Sequence, residues 1–307
     1  MRERTSDRTN ARTDEREQSH SDEPDEGFGL GGLLRSLIKG IPFCEGAESQ
    51  ETLHLARASR SKLTINNANG RTRVQGEERD DIEVIAFKRA RAESTDAAQR
   101  MVEDIRIHAS DSGEGLEIDV EIPSKWNRHG TANLDIRVPH DLAVSVTSAN
   151  GKVCLRGMRA AVHAKSSNGA VSIEDVVGDI EVYTSNAKCC FGQTRGSLRA
   201  RSSNGKVELV DHAGSVDAST SNGVIKASLD EIGSEGVVLA TSNGRIVLEL
   251  PDEVDADVDI RVENGVIRTS RDIDTQTSEP NGRIRGTLGR GGPPIKLRTS
   301  NGTISLR

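Results

Sequence analysis

The sequence predicts an all-β protein, a β-solenoid of stacked strand-turn coils with about 18-residue repeats and one short helix. Three observations predict it. Asn150, Asn168, Asn186, Asn204 and Asn222 recur every 18 residues without a slip, and Gly151, Gly169, Gly205 and Gly223 follow four of them. Each unit also aligns column by column: Val153, Val171, Cys189, Val207 and Ile225 share one position, and Leu155, Ile173, Phe191, Leu209 and Ala227 fall two residues later. Between them lie Cys154, Ser172, Cys190, Glu208 and Lys226, which face the other way because successive strand side chains alternate. Finally, the chain is only 34% hydrophobic and 2% aromatic but holds 30 Gly. That composition suits a thin interior filled by small branched side chains.

The elements follow in chain order. Residues 1–26 are polar and charged, with too little apolar surface to offset ordering entropy, and predict a disordered tail. Residues 27–44 form an amphipathic segment in which Phe28, Leu30, Leu33, Leu34, Leu37, Ile38 and Ile41 fit one face of a short helix. It either packs over an open end of the β domain or serves as an interfacial membrane anchor or partner-binding helix. The remaining domain, 45–307, divides into lead-in strands (45–146) and the Asn-Gly repeats (147–307). Within the lead-in, Leu53–Leu55, Leu63–Ile65, Ile82–Val84, Ile105–Ile107, Leu116–Val120 and Leu134–Val138 alternate with period two. Asp96 with Gln99 resembles a capping box and predicts a helix over 96–104. The stretch 123–130, holding Trp126, reads as a loop.

The Asn series continues at looser spacing with Asn243-Gly244, Asn264-Gly265, Asn281-Gly282 and Asn301-Gly302, and Asn69-Gly70 is an outlying member. The pair is read as a corner, since Asn and Gly enter left-handed backbone most readily. Stacked coils bring equivalent Asn side chains about 4.8 Å apart, within reach of an amide ladder. Gly178, Gly196 and Gly214 mark a second turn in each unit. At the C-terminus, Asn301–Arg307 ends on a repeat strand, so this last coil is expected either to be covered by the lead-in or to offer its edge for self-association or a protein partner.

Catalytic chemistry is sparse. The seven His form no metal-binding pair, and His108, His163 and His212 are expected to face solvent from strands. Four Cys without C-x-x-C spacing indicate neither zinc nor a disulfide framework. Glu174, Asp175, Asp179, Glu181, Glu208, Asp211 and Asp217 are the carboxylates that could in principle pair as a glycosidase dyad, but a charged face is the ordinary condition of a soluble solenoid. With a formal charge of −7 and few aromatics, nucleic-acid binding is not expected. No cofactor motif is present. The charged N-terminus and the lack of a long apolar run predict a cytoplasmic location, peripheral to the inner membrane if 28–41 anchors it.

The Thr/Ser-Ser-Asn-Gly repeats, the lead-in Leu134-Asp135-Ile136-Arg137-Val138-Pro139 and the helix near residue 100 together resemble the DUF4097 "putative adhesin" family, also described as toastrack domains, over roughly 50–307. The resemblance implies a β-solenoid, a non-enzymatic interaction role and an association with the bacterial cell envelope or envelope stress, with no catalytic residues to carry over. A self-polymerising scaffold and a polysaccharide-processing enzyme are the competing expectations.

Overall fold

The computed structural model describes residues 45–307 other than 58, 112, 114, 127, 128, 280 and 281. The expectations for 1–44, and for Asn281, lie outside the described residues. The strands are β1 (Glu45–Ala56), β2 (Lys62–Asn67), β3 (Thr72–Glu77), β4 (Asp81–Ala92), β5 (Arg106–Asp111), β6 (Gly115–Glu121), β7 (Gly130–Pro139), β8 (Ala143–Ser148), β9 (Val153–Met158), β10 (Val162–Ser166), β11 (Val171–Val177), β12 (Ile180–Thr184), β13 (Cys189–Ser202), β14 (Val207–Thr220), β15 (Val224–Glu249), β16 (Ala256–Thr269), β17 (Asp274–Glu279), β18 (Arg283–Leu288) and β19 (Pro294–Leu306). Helix α1 spans Thr95–Glu103, and Ser124–Trp126 is a single 3-10 turn.

Each coil contributes one strand to each of two walls, and the coils stack in parallel. In the first wall β8 pairs with β10, β10 with β12, and β12 with the second half of β13. In the second wall β9 pairs with β11, and β11 with the first half of β13. The in-register partners Val153–Val171–Cys189–Val207–Ile225 are all buried, as are Leu155, Ile173, Phe191, Leu209 and Ala227. The facing wall supplies small side chains, among them Ala164, Ala200 and Ala218. Valine and alanine fill this interior densely, which is why so few aromatics suffice.

At both ends the spatial order departs from the chain order. The lead-in is not a separate meander: β2 lies between β6 and β8, and β3 lies between β7 and β9, all parallel. The coil β2–β3 is therefore inserted between coil β6–β7 and coil β8–β9. The C-terminal strand behaves likewise. Val237–Thr241 pairs with Ile295–Thr299, and Val258–Val262 pairs with the same residues from the other side. Thus β19 is an interior coil, with Ile295, Leu297, Ile304 and Leu306 all 0% exposed. This corrects the expectation of an open C-terminal coil. The coil at that end of the stack is Ala256–Thr269.

Antiparallel strands extend both ends. β4 adds to β7, β1 to β4, and β5 to β6. At the far end β18 adds to β16, and β17 to β18. Gly282, with φ of 79°, thus borders an antiparallel pair and not a corner of the parallel stack. Helix α1 places Ala98, Met101 and Val102 against Ala47, Ala90 and Ala92 in a small second core. Its N-cap is Ser94, whose hydroxyl accepts from the Ala97 amide, and Gln99 instead donates to Glu103. The Asp96–Gln99 box is thereby replaced by a serine cap two residues earlier, because a short hydroxyl reaches the orphan amide from extended backbone.

Candidate functional site

Along one corner, nine asparagines stand on consecutive rungs. Asn150 donates to Asn69, Asn168 to Asn150, Asn186 to Asn168, Asn204 to Asn186 and Asn222 to Asn204, at 2.8–3.0 Å. The row then jumps with the inserted strand: Asn243 donates to Asn222, Asn301 to Asn243, and Asn264 to Asn301, at 2.9–3.1 Å. Every amide donates in the same direction, so the ladder is polar along its length. Beside it Ser167, Ser185, Ser203, Ser221 and Ser242 are exposed.

The glycines of these corners answer to space more than to handedness. A Cβ on Gly169 would lie 1.8 Å from the Gly151 carbonyl oxygen, and one on Gly205 would lie 1.8 Å from that of Ala187, at neither of which is the backbone left-handed. Backbone of one coil seats directly on backbone of the next. The inward hydroxyls close the corner: Ser166 accepts from the Gly169 amide and Ser202 from the Gly205 amide. Left-handed glycine marks the second turn, where Gly178, Gly196 and Gly214 have φ of 147, 127 and 143°, and among the corners it occurs at Gly70, Gly265 and Gly302, with φ of 131, 153 and 155°.

A third feature is stacked along the second wall. Asp175, Gln193 and Asp211, 18 residues apart, have φ of 50, 52 and 54°. Each is a bulge that shifts the alternation by one residue. This reverses the expectation for His212, which the bulge at Asp211 turns inward to complete burial. Its Nδ1 lies 2.8 Å from Thr194 Oγ1, and burial pushes its pKa below 6.5. The neutral ring is thus favoured by the fold, whereas the unfolded chain takes up a proton below pH 6.5. Stability is expected to be complete above that pH and to decline below it by up to about 1.4 kcal/mol per pH unit. Urea unfolding between pH 7.5 and 5 should show this decline, and His212→Leu should flatten it.

Four of the outward carboxylates are tied down. Glu208 is bound by Lys188 and Lys206, which hold its pKa down to about 2. Glu181 accepts from Tyr183 and contacts His163, and it too is lowered. Asp217 is paired with Arg201, and Asp175 with Arg159. Every resolved carboxylate shift is downward, whereas a general acid in glycoside hydrolysis needs a raised one. His108 and His163 lie beside Glu121 and Glu181 at 3.0 and 3.1 Å. Cys154 and Cys190 are half-buried free thiols, and burial raises the Cys189 thiol to about 12. No cluster of three or more metal-binding side chains occurs among the described residues. No helix among them is long and apolar enough to cross a membrane.

Parallel coils, a continuous amide ladder and ion-paired faces define a β-solenoid repeat protein. Its family follows from comparison. The Toastrack DUF4097 family model matches residues 60–307, and the chain belongs to that family. Among solved structures it is similar to a candidate cell adhesion protein from Clostridium sporogenes, with 10% identity, a TM-score of 0.26, and 85% of this chain and 99% of that one covered. It is also similar to candidate adhesins from Bacteroides fragilis and Parabacteroides distasonis. These share 12% and 9% identity, with TM-scores of 0.48 and 0.41, and each match covers 84% of this chain and 97% of the other. No curated protein matches the chain.

Proposed function

We propose that the chain is a non-catalytic, adhesin-like binding module that also serves as a scaffold at the bacterial cell envelope. The observation that carries this reading is the state of the outer walls. They are broad and repetitive, and their best-placed carboxylates are neutralised by lysine and arginine where an acid–base pair would need one poised to titrate. Such a surface recognises; it does not move protons. In the same reading, residues 28–41 hold the module against the cytoplasmic face of a membrane, with 1–26 as a charged extension. Self-association belongs at the outer edge of Asn264–Thr269, where Val266 is 52% exposed and no described strand adds beyond it.

The test uses the full chain and a variant lacking residues 1–44. Retention of envelope material by both, flotation with anionic vesicles by the full chain alone, and no cleavage across a polysaccharide panel are expected. Light scattering on the full chain reads self-association. Turnover of any polysaccharide, or no retention of envelope material, would sink the reading.

A further inference from the structure

The first wall changes character along its outer surface. One outward column runs Tyr183, Arg201, Ser219, Ala240, Arg298, Arg261, Arg283 on successive rungs. Ser219 and Ala240 are the small members, and they leave a depression two rungs wide, about 9–10 Å of sheet. It opens as a groove of about 390 Å³. Ser221, Ser242 and Ser300 line one side of it, and Arg298 and Arg261 close the end together with a single carboxylate, Glu263.

The charges there are not explained by the fold. Arg298, Arg261 and Arg283 sit directly opposite one another on adjacent strands, an arrangement that repels. Asp259 takes up Arg283 at 3.2 Å and Arg285 at 3.5 Å. Arg261 has only Glu263, at 4.0 Å, and Arg298 and neighbouring Lys296 have no ion pair among the described residues. In a chain of net charge −7, this is a local excess of unspent cations beside a row of hydroxyls. By contrast, Arg201 on the opposite bank is already engaged by Asp217.

From this juxtaposition we propose that the groove is a binding site for an acidic saccharide. A carboxylate or sulfate would lie against the Arg298 and Arg261 guanidinium groups, which match such oxyanions bidentately. The ring hydroxyls would exchange hydrogen bonds with Ser219, Ser221, Ser242 and Ser300. No aromatic side chain lines the groove, so recognition rests on charge and hydroxyl pairing, and a neutral glucan gains little. The site rests on the binding-module reading and supplies its ligand class.

Titration calorimetry on the full chain, at low and physiological salt, would use oligogalacturonate, sulfated dextran oligomers and neutral dextran. One or both acidic probes should bind, and neutral dextran should not. Binding by only one of them distinguishes carboxylate from sulfate as the group read. Arg298→Ala and Arg261→Ala should each weaken binding tenfold or more. Ala240→Tyr, which fills the depression without removing a charge, should weaken it similarly. Arg245→Ala and Arg268→Ala, on the other wall, should change it less than twofold. Equal losses at Arg245 or Arg268, or no binding of either acidic probe, would overturn the site. In that event continued retention of envelope material would leave the binding module standing, and its loss would remove both.

Discussion

Deletion of residues 294–307 is expected to unfold the C-terminal part of the stack, not to trim one end of it. These residues form a coil held on both sides, by Val237–Leu248 and by Asp257–Thr269. Removing it takes away Ile295, Leu297, Ile304 and Leu306, each fully buried, which is on the order of 6–12 kcal/mol of apolar burial. That is comparable with the whole stability of an ordinary domain. It also strips Leu239, Ile246, Leu248, Val258 and Ile260 of one neighbouring coil. Because a solenoid's stability is a sum of coil and nearest-neighbour terms, the damage should be local. Limited proteolysis of the truncated chain should open the region after about residue 237, while the earlier coils stay protected. A truncated protein with the same melting temperature and the same protease resistance would show that β19 is dispensable.

That insertion also explains what could and could not be seen in the sequence. The period of 18 was legible from Asn150 to Asn222 because there each coil's spatial neighbour is its neighbour in the chain. It falters first between Asn222 and Asn243, where register shifts along β15 lengthen one coil to 21 residues, and then because Asn301 is seated between Asn243 and Asn264, so distance along the chain no longer counts rungs. Asn69 looked like an outlier for the same reason, although it sits one rung from Asn150. Alternation gave the inward columns but missed His212, because the bulge moves the next inward position three residues on from Leu155, Ile173 and Leu209, to Met158, Val176 and His212, and the last of these is polar. Asp and Gln at Asp175, Gln193 and Asp211 carry too weak a left-handed preference to announce it. The groove was illegible on different grounds. Ser219, Ala240, Arg298 and Arg261 become a surface only once the register of four strands is known.

The corner glycines give the second large expectation. Gly302→Ala should destabilise the protein by roughly 3–5 kcal/mol, combining left-handed strain with an overpacked backbone contact. Gly302 has φ of +155°, and a Cβ there would stand 1.7 Å from the Gly244 carbonyl oxygen. Relief would require moving one coil away from the next, and β19 is seated against coils on both of its faces. The corner at Ala187 shows what decides the cost. It houses a Cβ at 5% exposure with no left-handed backbone, so the same methyl is tolerated where the chain can adjust. Asn301→Ala separates the ladder from the corner. It deletes the amide that donates to Asn243 and accepts from Asn264, exposed bonds worth about 0.5–1.5 kcal/mol each, and leaves the backbone contact intact. Guanidinium unfolding of the two variants should therefore rank Gly302→Ala well above Asn301→Ala. The reverse order would mean that the amide ladder, and not the seating of backbone on backbone, holds the coils in register.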